Sequence, residues 1–129
     1  MDHLQLRPRR SARTLLASAI LLVGLTGTAL AWGAIAVDDE EGRHHDDVGY
    51  GASSGHNSEA AAKAGALREC RRHGNEDCRV IVTFRHCGAY AVAGRHYGYG
   101  EATTLASARR DALEHCGGGA CKIVVSHCE

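Results

Sequence analysis

The chain is poor in aromatic residues and has no excess of either charge. Aromatic side chains make up 5% of its 129 residues, and 15 Lys and Arg residues are balanced by 15 Asp and Glu residues. Without a basic excess, little is available to neutralise the phosphates of a nucleic acid. The scarcity of aromatic rings argues against base stacking and against a large aromatic ligand pocket. We therefore expect no nucleic-acid partner, and the length predicts a single domain.

Two motifs that mark common active sites are missing as well. The sequence contains neither the His-Glu-x-x-His motif of zinc proteases nor a phosphate-binding loop. The Gly-Tyr-Gly segments at 49–51 and 98–100 lack the later glycine of a dinucleotide-binding loop. Ser53, Ser54 and His56 place hydroxyls near an imidazole in sequence, so a small secreted hydrolase remains an alternative. The leading expectation is a non-catalytic protein without a cofactor.

No apolar run approaches the roughly 20 residues of a membrane-spanning helix. Four arginines precede a shorter apolar stretch from Leu15 to about Leu25, and the small-residue sequence Ala29-Leu30-Ala31 follows. A basic start, a short apolar middle and a small-residue exit predict a secretory signal peptide over residues 1–31, cleaved after Ala31. The mature domain, residues 32–129, is then expected to be secreted or periplasmic and not inserted in a membrane.

All six cysteines lie in this mature part. An even number of cysteines in a small exported chain favours disulfides. Structural zinc sites commonly use cysteine pairs about two to four residues apart. The separations of eight between Cys70 and Cys78 and of five between Cys116 and Cys121 do not fit that spacing. Spacing alone does not choose among the possible disulfide connectivities.

An internal repeat runs through the mature sequence, because five blocks of its first half recur in the same order in its second half. The recurring blocks are Gly33–Val37 with Gly88–Val92, Val48–Ala52 with Tyr97–Glu101, Ala66–Cys70 with Ala112–Cys116, Cys78–Val82 with Cys121–Val125, and His86-Cys87 with His127-Cys128. The repeat predicts a duplication with halves at about 32–87 and 88–129. Each half has the pattern of two strands, a helix and a third strand.

The helix of each half has a candidate N-cap and a candidate buried stripe. Ser58 is the expected N-cap of the first helix, and Thr103 or Thr104 that of the second. The expected buried stripes are Ala60, Ala64, Leu67 and Cys70 in the first helix and Leu105, Ala108, Ala112 and Cys116 in the second. The predicted fold class is α+β in two layers. Duplicated β-β-α-β units form a mainly antiparallel, disulfide-stapled sheet with two helices packed on one face.

The final strand of each half alternates between apolar and polar side chains. The more apolar face, expected to look toward the helices, comprises Cys78, Val80, Val82, Phe84 and His86 in the first half and Cys121, Ile123, Val125 and His127 in the second. Cys87 and Cys128 fall on the opposite face.

These positions favour one set of disulfides. A helix ends at Cys70 and the next strand opens at Cys78 on the helix-facing side, so a Cys70–Cys78 bridge is expected, with Cys116–Cys121 as its equivalent. The remaining two cysteines are repeat equivalents, and a pseudo-twofold relation between the halves would bring them together as Cys87–Cys128. Every cysteine then has a partner, which leaves no thiol for nucleophilic catalysis.

Several of these segments also carry a family resemblance. They are Trp32–Ala36, Ala66–Cys70, Cys78–Val82, Cys87–Val92 and Ala112-Leu113 before a glycine-rich turn. In these residues the chain resembles the secreted bacterial family called domain of unknown function 4189 (DUF4189), over nearly all of residues 32–129. The resemblance implies export and a compact α+β domain, and it supplies no catalytic residues. The acidic, histidine-bearing insertion from Asp38 to Asp47 lies outside the shared pattern.

Histidines supply the candidate metal ligands. The most metal-like local cluster is His44-His45-Asp46-Asp47, but a solvated polar loop is the simpler interpretation, because a good site needs three or four preorganised ligands. His86 and His127 occupy matching strand ends in the two halves. Three roles are open for them: a metal-binding pair, a pH-sensitive pair, or two histidines hydrogen-bonded to the backbone. We predict no metal site and keep an exported metal-binding protein as an alternative.

The leading functional hypothesis is an exported, disulfide-stabilised, non-catalytic module that recognises a protein or cell-envelope component. Its candidate contact residues are Tyr50, Tyr97 and Tyr99, which lie on glycine-flanked segments. Tyrosine suits recognition surfaces because it combines a large apolar ring with a hydrogen-bonding hydroxyl. Packing at the edge of a sheet is the alternative role for these side chains.

Overall fold

The computed structural model describes residues 31–40 and 44–129, so the predicted signal segment lies outside the described residues except for Ala31. The first unit consists of β1 (Trp32–Asp38), β2 (Gly49–His56), α1 (Glu59–Arg72) and β3 (Arg79–Phe84). The second unit consists of β4 (Cys87–Ala93), β5 (His96–Ala102), α2 (Leu105–Cys116) and β6 (Lys122–Cys128). The α+β class and the duplicated β-β-α-β order are confirmed. Within the described residues, no helix combines the length and apolarity needed to cross a membrane.

The six strands form two antiparallel sheets, one for each unit. The strand orders are β2-β1-β3 and β5-β4-β6, so the first strand of each unit is central. The sheets pack face to face, with β3 across from β5 and β2 across from β6. Each helix covers the outer face of its own sheet. The expectation of one sheet with both helices on one face therefore becomes two helix-covered sheets that share an inner core.

This arrangement follows from central strands that are apolar on both faces. In β1, Ala34 and Ala36 pack against α1, while Ile35 and Val37 point into the core between the sheets. Strand β4 repeats the arrangement, with alanines toward α2 and Tyr90 and Val92 toward the inner core. Small side chains allow a helix to approach the sheet closely, and large ones fill the space between the sheets.

Glycines in β2 and β5 bring the helices closer still. A Cβ on Gly51 would lie 2.1 Å from the backbone nitrogen of Cys70, and a Cβ on Gly98 would lie 2.2 Å from that of Cys116. Gly51 and Gly98 are therefore structural equivalents, which makes Tyr50 the equivalent of Tyr97. The repeat matching of Val48–Ala52 with Tyr97–Glu101 was therefore wrong by two residues. A shift of two keeps each side chain on the same face of its strand.

Both predicted N-caps are present, since Ser58 accepts a hydrogen bond from Ala61 N and Thr104 accepts one from Ser107 N.

The buried residues of α1 are Ala62, Gly65, Ala66 and Cys70, and those of α2 are Ala108, Ala112 and Cys116. The predicted stripe of α1 was therefore wrong at Ala60 and Ala64, which are exposed, and at Leu67, which is only half-buried; in α2 it failed at Leu105, which is 40% exposed. In both helices the stripe runs back from the terminal cysteine in steps of four residues.

A β-bulge explains a second departure from the sequence pattern. In β3, Val82 pairs with Ile35 but Val80 pairs with Ala36, which leaves Ile81 as an extra residue. Strand β6 has the same irregularity at the equivalent position. Because a bulge breaks strict alternation, the apolar residues from Val82 onward face the opposite sheet and not the helices.

Disulfides join Cys70–Cys78, Cys87–Cys128 and Cys116–Cys121, the same three pairs that the sequence favours. The first and third tie the end of a helix to the strand that follows it. Cys87–Cys128 joins neighbouring strands within the second unit, so it does not bridge the two units as the pseudo-twofold argument supposed. The equivalent place in the first unit holds Trp32 and Arg85, whose guanidinium carbon lies 4.4 Å from the indole centroid.

Candidate functional site

The exposed aromatic surface of the second unit lies on β5, at the edge of its sheet. Tyr97 and Tyr99 are 41% and 47% exposed. Their two-residue spacing puts them on one face of the strand, and because Gly98 and Gly100 meet α2, that face points away from the helix. We refer to Tyr97 and Tyr99 as the tyrosine face.

Side chains from α2 and β3 contact the tyrosine face. A cavity of about 320 Å³ is lined by Tyr97, Gly98, Tyr99 and His115. Nδ1 of His115, on α2, lies 2.9 Å from the carbonyl oxygen of Tyr99. The guanidinium carbon of Arg79, on β3, lies 5.5 Å from the ring centroid of Tyr97, within the range of a cation–π contact. Contacts from β3 and α2 therefore restrain a surface that stays accessible.

Tyr50 lies apart from this surface. It is 43% exposed and lines a separate cavity of about 290 Å³ with Val48, Gly49, His73 and Asn75. Strand β2 lies across from β6, whereas β5 lies across from β3. Tyr50 therefore occupies the opposite edge of the sandwich, and the structure brings together only two of the three candidate tyrosines.

A buried polar cluster, missed by the sequence analysis, underlies the tyrosine face. The carboxylate of Asp39, a residue 6% exposed, accepts hydrogen bonds from Nη2 of Arg79 at 2.9 Å and from the hydroxyl of Tyr90 at 2.8 Å. The hydrogen bond to Asp39 raises the pKa of Arg79 above its ordinary value, although burial acts in the opposite direction. The cluster holds the guanidinium that lies over Tyr97. Asp39 stands in a run of acidic residues, and nothing in the sequence distinguishes it from Asp38 and Glu40 beside it.

The segment considered for a hydrolase does not form a nucleophile elbow. Residues 51–55 read Gly-Ala-Ser-Ser-Gly, the spacing of a nucleophile elbow, which needs a serine exposed on a sharp turn between strand and helix. Ser53 instead lies within β2, is 8% exposed and donates its hydroxyl hydrogen to the carbonyl oxygen of Ala62 at 2.6 Å. That serine therefore serves the contact between β2 and α1.

The histidine cluster of the loop between β1 and β2 does converge. Nε2 of His45 lies 2.8 Å from Oδ1 of Asp46, and Nδ1 of His44 lies 3.7 Å from Oδ2 of the same carboxylate. One ligand atom from each of these three residues falls within 4.8 Å of the others. The fourth member named from sequence, Asp47, does not belong to the group.

The other two histidines named from sequence, His86 and His127, are not structural equivalents. Strand pairing makes Phe84 the structural equivalent of His127, because the two occupy matching registers opposite Gly33 and Gly88. Their rings lie 6.3 Å apart in an edge arrangement where the two units meet. His86 is exposed and lies beyond the end of β3.

Comparison with known proteins gives a family model described as "Domain of unknown function (DUF4189)", which matches residues 32–128. Protein Mb1300c of Mycobacterium bovis and Protein Rv1269c of Mycobacterium tuberculosis are each 43% identical to the chain over 70 residues. That match covers 54% of this chain and 54% of each relative, so the chain spans about half the length of the curated relatives it matches.

A solved structure has a similar fold. The NMR structure of Rv1813c from Mycobacterium tuberculosis superposes with a TM-score of 0.54 at 28% sequence identity. The similarity covers 78% of this chain and 76% of that protein. The match extends over most of the duplicated domain.

Proposed function

The chain belongs to the DUF4189 family, and from that premise we propose that it is an exported, non-catalytic module that recognises a protein or cell-envelope component through its tyrosine face. The three disulfides provide a rigid support for that face. The single observation that carries the proposal is the exposed Tyr97–Tyr99 pair on an edge strand, beside a cavity of about 320 Å³.

Export is supported by two independent features. Residues 1–31 have the order of charges, apolar residues and small residues that signal peptidase recognises. All six cysteines are paired in disulfides, and disulfides persist in compartments outside the reducing cytoplasm. Together they support a secreted or periplasmic location.

Recognition is supported by the exposure of the two rings of the tyrosine face. Tyr90, on the neighbouring strand, is fully buried, whereas Tyr97 and Tyr99 keep more than two fifths of their surface in contact with solvent. Rings that are restrained and accessible lose little conformational entropy when a partner covers them. An edge strand can also bind an extended segment of a partner through its backbone. We therefore expect a partner protein to lay an extended segment along β5 and cover both rings.

The proposal predicts that the double variant Tyr97→Ala/Tyr99→Ala loses its partner while it keeps its fold. Purified, oxidised protein is immobilised and exposed to an envelope extract, and captured proteins are identified by mass spectrometry. Removing two interface tyrosines is expected to weaken binding by about 2 kcal/mol or more, which is over tenfold in Kd. The same variant is expected to remain folded, with a lower midpoint of thermal unfolding than the wild type, because more than half of the surface of each ring is buried in the fold.

Tyr50→Ala is the matched control, because it removes an equally exposed tyrosine from the equivalent strand at the opposite edge. The proposal requires a protein captured by the wild type and by Tyr50→Ala but not by the double variant. Equal capture by all three proteins, or no specific capture by the wild type, would overturn it. An unfolded double variant would assign the two rings to the fold and not to recognition.

A further inference from the structure

The loop between β1 and β2 carries a second group of side chains that the recognition surface does not use. His44, His45 and Asp46 are consecutive, and the carboxylate of Asp46 lies between the two imidazoles. A backbone hydrogen bond of 2.9 Å from Asp47 N to His44 O closes the turn that presents them. One potential ligand atom from each of the three side chains therefore lies within 4.8 Å of the others.

We propose that His44, His45 and Asp46 bind a divalent transition metal ion of the zinc class. Two imidazole nitrogens and one carboxylate oxygen form the donor set of an open zinc site, in which three protein ligands leave a fourth position for water or another ligand. Calcium and magnesium prefer larger shells of oxygen donors. The donor set therefore favours zinc, with copper and nickel as chemically related competitors.

The geometry requires only small side-chain movements. Bond lengths of about 2.0–2.2 Å place the ligand atoms of a tetrahedral zinc site about 3.4 Å apart, whereas the present atoms lie within 4.8 Å of one another. The side chains of His44 and Asp46 are 67% and 70% exposed, so both can rotate toward the ion. The ion would then lie between His45 and Asp46, and His45 would bind it through Nε2 as a neutral imidazole that carries its hydrogen on Nδ1.

The surroundings leave room for the fourth ligand. His44 and His45 line a cavity of about 340 Å³. Its other walls come from the end of β4 and the turn after it, and from the loop that leads into β6. Lys122 lines the same cavity. Its ammonium group favours an anionic ligand, such as a carboxylate or chloride, in the open position. The site therefore joins a loop of the first unit to the second unit.

Zinc titration of the tag-free, oxidised protein by calorimetry at neutral pH tests the proposal. The expected result is one zinc ion per chain with a Kd of about 10 µM or tighter, a range of affinity typical of moderate binding sites. The variant His44→Asn/His45→Asn is expected to weaken this binding at least tenfold, with unchanged thermal unfolding in the absence of metal.

His73→Asn/His86→Asn is the matched control, because it removes two exposed histidines elsewhere on the surface. This variant is expected to bind zinc as the wild type does. A wild-type Kd weaker than about 100 µM, or an equal loss in both double variants, would show adventitious binding by surface histidines and overturn the proposal. The result does not depend on the tyrosine face, so the two proposals stand or fall separately.

Discussion

At the scale of single residues, exposure separates the side chains available for recognition from those that hold the fold. Tyr90 and Tyr97 are neighbours whose ring centroids lie 6.3 Å apart, yet one is fully buried and the other 41% exposed. Both lie in segments that the internal repeat predicts to be strands. The buried acidic partner, Asp39, was not predicted, because its burial depends on how the chain leaves β1 and meets Arg79 from β3. Tertiary contacts of this kind leave no periodic signal in a sequence.

Asp39→Ala is predicted to lower the free energy of unfolding by about 1–3 kcal/mol, because it removes the acceptor of three hydrogen bonds at a buried position, two from Arg79 and one from Tyr90. Tyr90→Phe should cost less, about 0.5–1.5 kcal/mol, because it removes only one of them. Urea unfolding of both variants and of their combination measures the coupling, which should be clearly different from zero. Glu76→Ala, at an exposed position, is the control and should change stability by less than about 0.5 kcal/mol.

The effect of Asp39→Ala should persist throughout neutral pH. The folded-state pKa of Arg79 is raised, so its contribution to stability is complete below the unfolded-state pKa and is lost only as the pH rises through the raised value. That range is strongly alkaline, and the guanidinium stays charged in ordinary buffers. A cost no larger than that of Glu76→Ala would show that the cluster does not stabilise the fold.

At the scale of elements, the sequence predicted the repeat, the helix caps and the order of strands and helices because each has a local signal. Ser58 and Thr104 are capping residues directly before a helix, and recurring blocks require no structural knowledge. The buried stripe of α1 was predicted wrongly because its many alanines make several faces of the helix equally apolar. The bulge at Ile81 was not predicted, because Ile81 has an apolar residue on either side and a continuous apolar run gives no sign of where the strand changes face. The separation of two sheets rests on long-range packing, which alternation alone does not specify.

The close contact between β5 and α2 provides a prediction at this scale. Gly98→Ala is expected to destabilise the protein by about 1–3 kcal/mol or more, because the new Cβ would lie 2.2 Å from Cys116 N and 2.4 Å from the carbonyl oxygen of Ala112. Backbone atoms in a disulfide-tied helix end cannot move aside as a flexible side chain can. Chemical denaturation under oxidising conditions measures the loss.

Gly119→Ala is the control for this substitution, since a Cβ there meets nothing within 4 Å and the backbone is not left-handed. It should leave the denaturation midpoint nearly unchanged. Gly51→Ala, the equivalent change in the first unit, should behave as Gly98→Ala does. Equal stability of the Gly98→Ala and Gly119→Ala proteins would contradict the proposed helix–strand contact.

At the scale of the whole molecule, two related units share an inner core and have diverged at their edges. Phe84 of the first unit meets its equivalent, His127 of the second, where the sheets face each other. Where the second unit has the Cys87–Cys128 bridge, the first unit stacks Arg85 on Trp32. The first unit carries the acidic loop with the histidine cluster, and the second carries the tyrosine face. Duplication thus supplied a scaffold on which the two copies came to present different side chains.

We propose that this duplicated scaffold is exported and closed by three disulfides, which make its surface rigid enough for recognition. Non-reducing peptide mass mapping of the protein recovered from outside the cytoplasm tests it most directly. We expect an N-terminus at Trp32 and three linked peptide pairs, Cys70–Cys78, Cys87–Cys128 and Cys116–Cys121. A protein that retains residues 1–31, carries free thiols or pairs its cysteines differently would contradict it.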